Sequence, residues 1–152
     1  VFGNGFFYSV VSDMVTPPVF RLIIGLSVAL ELASEGVDYL WPDLSPEIAS
    51  AIEKDQMFGL IESYPLISLA ILLPWLVGAF AGVVGVFLFK LWGRALSLYS
   101  TVLSFFIAPF LGPVAYSGLS NALDEASITL WGVVLALAYF SPISERFKTE
   151  NR

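Results

Sequence analysis

The sequence predicts an all-α integral membrane protein: a bundle of four transmembrane helices with a short amphipathic helix in its first extracytoplasmic loop. Three observations carry this. No residue from 63 to 89, from 95 to 123 or from 126 to 144 bears a formal charge. A helix rises about 1.5 Å per residue, so the first of these runs reaches roughly 40 Å and crosses a hydrocarbon layer of about 30 Å with room for tilt. Of the 152 residues, 57% are hydrophobic and 13% charged, and the mean hydropathy is +0.82, values on the membrane side of globular averages. Lysine and arginine are also unevenly distributed between the segments that link the runs. A chain of this length makes one domain, here a single membrane domain over residues 1–152.

The N-terminal stretch 1–13 carries Phe2, Phe6, Phe7 and Tyr8 around two glycines and no basic residue to form the n-region of a signal peptide. Its apolar part is too short to span, so it reads as an interfacial aromatic segment or as a loosely held terminus. Thr16-Pro17-Pro18 starts a helix, because a threonine can cap free backbone N–H groups and proline fits the first turn, where its missing donor is no loss. The first span is expected over about 17–34. Gly25, Ala29 and Ala33 recur every four residues along it, a seam where a second helix could approach closely. Arg21 and Glu31 lie about 15 Å apart along the axis and cannot pair within the helix.

From 35 to 63 the composition turns acidic, with Glu35, Asp38, Asp43, Glu47, Glu53, Asp55 and Glu62 against Lys54 alone, which marks an extracytoplasmic loop. Tyr39 and Trp41 anchor its start, and Ser45-Pro46-Glu47 opens the short amphipathic helix. The second span, about 64–89, contains Pro74 and then Gly78, Gly82 and Gly85, small residues that allow helix backbones to touch. A partner within the same chain is expected for them, with the Gly25/Ala29/Ala33 face as one candidate. Lys90-Leu91-Trp92-Gly93-Arg94 is a basic turn, followed by a third span over about 95–119. Ser97, Ser100, Thr101 and Ser104 put hydroxyls on one face of it, and Pro109 and Pro113 interrupt regular helix farther on. Asn121, Asp124 and Glu125 read as a polar connection, and the last span as about 126–143.

Four spans place both ends on one side. Arg21, Lys90, Arg94, Arg146, Lys148 and Arg152 then share that side and leave Lys54 on the other, so the positive-inside rule makes both termini cytoplasmic. The absence of cysteine and histidine removes disulfides, thiolate chemistry, Cys/His zinc sites, iron–sulfur clusters and His-ligated haem. A net charge of −6 without a basic cluster argues against nucleic acid. No nucleophile–base pair, Walker loop or metal-binding motif is present, so no catalytic residue, metal or resident cofactor is expected; lipid, quinone or pigment could still bind without a histidine ligand.

In layout alone the chain resembles small four-helix bacterial inner-membrane proteins. That resemblance implies a place in the bacterial plasma membrane. The expected role is a non-catalytic accessory or assembly subunit whose partners are the bilayer and other membrane proteins. The alternative is a small transporter or channel with a polar pathway near Arg21, Glu31, Ser97, Thr101 and Ser104.

Overall fold

A computed structural model describes residues 15–40, 64–110 and 117–149, and all regular structure among them is helical. The N-terminal aromatic segment, the amphipathic helix expected after Ser45, Pro113 and Arg152 lie outside the described residues.

Helix α1 runs over Pro17–Leu40, α2 over Pro65–Phe87, α3 over Leu91–Ile107 and α4 over Gly118–Phe140; a four-residue helix, α5, covers Arg146–Thr149. The first turn of α1 opens as its sequence predicts, with the Phe20 N–H donating to the Thr16 carbonyl at 2.9 Å. It continues past Ser34, because Glu35 ends the apolar run without ending the hydrogen-bond ladder, for which glutamate is a good former. Helix α2 is continuous through Pro74. Helix α3 is only 17 residues long and gives way to a 3-10 turn over Ala108–Phe110. At roughly 25 Å plus about 6 Å for that turn, it matches the hydrocarbon thickness only with the turn included.

Helix α4 starts well before the expected boundary at 126. Ser117 caps it, its hydroxyl accepting from the Ser120 N–H at 3.1 Å, so Asn121, Asp124 and Glu125 belong to the first two turns and are not a connection. Asn121 donates to Glu125 one turn on at 3.0 Å, a polar pair at the four-residue spacing that supports a helix. Among the described residues three helices are thus long and apolar enough to cross a membrane: Pro17–Val37, Leu66–Phe87 and Gly118–Phe140. Only 22%, 17% and 22% of these windows are buried, so most of their apolar surface points away from the bundle. An environment of water would leave that surface unpaid for; an apolar one does not.

Successive helices run in alternating directions. The α2–α3 turn closes with the Lys90 N–H donating to the Gly85 carbonyl at 2.7 Å and the Phe89 N–H to Val86 at 3.0 Å. That double closure requires a left-handed residue, usually glycine, and here Phe89 takes it at φ 56°. Helices pack chiefly as two antiparallel pairs, α1 with α4 and α2 with α3. The pairs meet at the end that holds the start of α1, the α2–α3 turn and the C-terminal tail. Phe20, Ile24, Val86, Phe89, Val134, Ala138, Ile143 and Phe147 form the core there.

Candidate functional site at the turn end

Three phenylalanines from three different segments build the centre of this end. Phe20 stacks on Phe89 with ring centroids 5.6 Å apart, and Phe147 meets Phe89 edge-on at 5.4 Å and Phe20 at 6.3 Å. Phe147 reaches them because Ser141 both ends α4 and starts the Pro142–Glu145 turn, folding the tail back over the helix ends. Such ring pairs add about 0.5–1.5 kcal/mol each to simple burial, which helps offset the strain at Phe89.

Two arginines flank the rings and close helix ends that are not their own. Arg21 Nε donates to the Phe87 carbonyl of α2 at 3.2 Å, and its guanidinium lies 5.2 Å from the Phe87 ring and 5.1 Å from Phe89. Arg94 Nη1 donates to the Ala138 carbonyl of α4 at 3.1 Å, with its guanidinium 4.4 Å from the Tyr139 ring and 5.6 Å from Phe147. Both carbonyls belong to last turns that lack intrahelical donors and carry the negative end of the helix dipole. A cation near the start of α1 or α3 opposes its own helix, but in an antiparallel bundle it serves the neighbour's terminus. Tyr139 returns a bond to the Arg94 carbonyl at 3.2 Å.

Away from this end, small residues hold the pairs together. In the α1–α4 seam Ser27 and Ser127 exchange hydroxyl-to-carbonyl bonds of 3.1 and 3.0 Å. Ser34 and Ser120 do the same at 2.9 and 3.1 Å, and their hydroxyls lie 2.9 Å apart. With Phe20 and Val134 also buried, the contact residues fall seven apart on both helices, the repeat of a left-handed coiled coil. The expected Gly25/Ala29/Ala33 seam is not this face. Gly25 sits about 200° round the helix from Ser27, all three residues are exposed, and a Cβ added at Gly25 would meet nothing within 4 Å.

The glycines of α2 pack instead on α3. A Cβ at Gly85 would come within 2.5 Å of Gly93 Cα, and one at Gly82 within 2.7 Å of Ser97 Oγ and 2.9 Å of its backbone nitrogen. Gly78 has looser contacts, with Ser100 Oγ at 3.6 Å. Gly93 is the partner the sequence reading missed, although its place beside Gly85 follows from a turn only a few residues long.

The residues of the expected polar pathway are dispersed. Arg21 is at the turn end, and Glu31 is exposed farther along α1. Ser97 is buried against Gly82, its hydroxyl without a hydrogen-bond partner among the described residues. Thr101 accepts from Trp131 of α4 at 3.0 Å, while Ser104 turns back to the Thr101 carbonyl at 2.7 Å. The hydroxyl stripe is therefore divided between two neighbours and its own helix. Trp75 adds a bond to the Ser100 carbonyl at 3.2 Å. Among the described residues no group of three His, Cys, Asp or Glu is placed to hold a metal ion.

These features define a class: an all-helical protein with membrane-length apolar helices, held by serine, glycine and arginine contacts. Compared with known proteins, the chain matches no family model, no curated protein and no solved structure.

Proposed function

We propose that the chain is a small four-span membrane protein that works as a non-catalytic accessory or assembly subunit of a larger membrane complex. One observation supports this above others: the polar side chains Ser27, Ser34, Trp75, Ser120, Ser127 and Trp131 join helices of the bundle to one another, whereas the outward faces are broad and apolar. Leu22 and Leu32 on α1, Leu66 and Phe80 on α2, Phe105 on α3 and Phe140 on α4 are each more than 65% exposed. In a bilayer such surface is matched equally by lipid and by another apolar helix, so it can accept a partner without a dedicated pocket. The gathering of Arg21, Lys90, Arg94, Arg146 and Lys148 at the turn end supports an orientation with that end, and both termini, in the cytoplasm of a bacterial inner membrane.

Gentle solubilisation followed by size and composition analysis tests the reading. A stoichiometric larger partner co-migrating with the chain is the expected result; a monodisperse particle of this chain and lipid alone would count against it. Liposomes holding the purified protein should pass neither protons nor small ions, and a flux abolished by Glu31→Gln would favour the transport alternative.

A further inference from the structure

We propose that Arg21 binds the phosphate of an anionic phospholipid where the start of α1 meets the end of α2, at the turn end. The inference rests on the membrane reading above, though not on the subunit role. Arg21 is exposed and spends only Nε on the Phe87 carbonyl. Among the described residues its two terminal nitrogens have no partner, and no carboxylate lies within ion-pair distance. Its position is nevertheless restrained, because Nε is bonded to the Phe87 carbonyl and the guanidinium carbon lies 5.2 Å and 5.1 Å from the Phe87 and Phe89 ring centroids. A guanidinium so held presents a fork that matches two phosphate oxygens, with little side-chain freedom left to lose on binding.

The surroundings fit a lipid better than a soluble anion. Phe87, whose ring is 5.2 Å from the guanidinium, is 41% exposed, and the chain neighbours Leu22 and Leu88 are 67% and 44% exposed, so the surface at this level is apolar and suits acyl chains. Trp92, 52% exposed at the start of α3, is the residue type that marks the headgroup level. Charge agrees locally although the chain as a whole is acidic. Lys90, Arg94, Arg146 and Lys148 share this end, where the described acid is Glu145, paired with Lys148 at 2.9 Å. Arg94 is not an equivalent site, being half-buried between Tyr139, Phe147 and the end of α4.

The test is native mass spectrometry of the full chain in mild detergent, titrated with phosphatidylglycerol, phosphatidylcholine or inorganic phosphate. The parent should retain phosphatidylglycerol in preference to phosphatidylcholine, and inorganic phosphate should not displace it. Arg21→Gln should lower that retention at least about tenfold, the order expected for a charge-assisted bond pair. Arg21→Lys, which keeps the charge and loses the fork, should fall between, while Lys148→Gln should match the parent. Unchanged retention in Arg21→Gln overturns the proposal. So does an equal loss in Lys148→Gln, which means diffuse surface charge, or displacement by inorganic phosphate, which means a soluble-anion site. If Arg21→Gln does not fold, Arg21→Lys decides: reduced retention supports the site and parental retention overturns it. Stable insertion into phosphatidylcholine vesicles, expected of parent and variants alike, tests the membrane reading separately.

Discussion

Replacing glycine by alanine should have opposite signs at two places in this bundle. At Gly85 the new Cβ meets the Gly93 Cα at 2.5 Å and the Trp92 ring at 2.9 Å. The first of these is backbone and cannot rotate away, so α2 and α3 must separate. Overpacking of this kind typically costs about 1–3 kcal/mol, which outweighs the roughly 0.5–1 kcal/mol that better helix propensity returns at the same site. At Gly25 the Cβ meets nothing within 4 Å, so only the propensity gain of about 0.5–1 kcal/mol remains. For a chain of this size a kcal/mol corresponds to roughly 2–4 °C in Tm. Thermal melting in one mild detergent should therefore place Gly85→Ala several degrees below the parent and Gly25→Ala slightly above it. Parental or higher melting of Gly85→Ala would refute the backbone contact between α2 and α3. A clear loss in Gly25→Ala would restore the glycine–alanine face as the seam of α1.

The serine seam and the strained turn give two more expectations. In a double-mutant cycle, Ser27→Ala and Ser127→Ala should each cost about 0.5–1.5 kcal/mol, since each removes one hydroxyl bond while the carbonyl it served keeps its helix donor; additive costs fit the two separate bonds, and no cost for either would place the pair apart. At Phe89, Ala should be worse than Gly by about 1 kcal/mol, because both lose the ring but only Gly is at ease at φ 56°; the reverse order of melting would mean that the turn is not left-handed.

Helix existence was legible because uncharged length is a property of sequence alone: residues 63–89 announce α2 without reference to any partner. Partner choice was less so. Four-residue spacing made Gly25, Ala29 and Ala33 a plausible seam, but a face becomes a seam only if another helix offers a complement, and α4 offers Ser120 and Ser127. The matching seven-residue spacing of Ser27 with Ser34 and of Ser120 with Ser127 was the available signal. The start of α4 is less legible because charge ends an apolar run without ending a helix; the available signal was Ser117, a good cap, with Asn121 and Glu125 four residues apart behind it. The arginine caps on α2 and α4 depend on which helix ends lie side by side. That is a property of the antiparallel arrangement, and no local pattern around Arg21 or Arg94 encodes it.

The central claim is that the helices alternate across a membrane with the turn end inside, and cysteine accessibility tests it most directly. The chain has no cysteine of its own, so single substitutions report without background. With a membrane-impermeant maleimide applied to intact cells, Asp55→Cys and Asn121→Cys should label at once, and Lys148→Cys only after permeabilisation. With Asp55→Cys still labelled at once, immediate labelling of Lys148→Cys together with protection of Asn121→Cys would mean that α3 does not cross, and would contradict the four-span account.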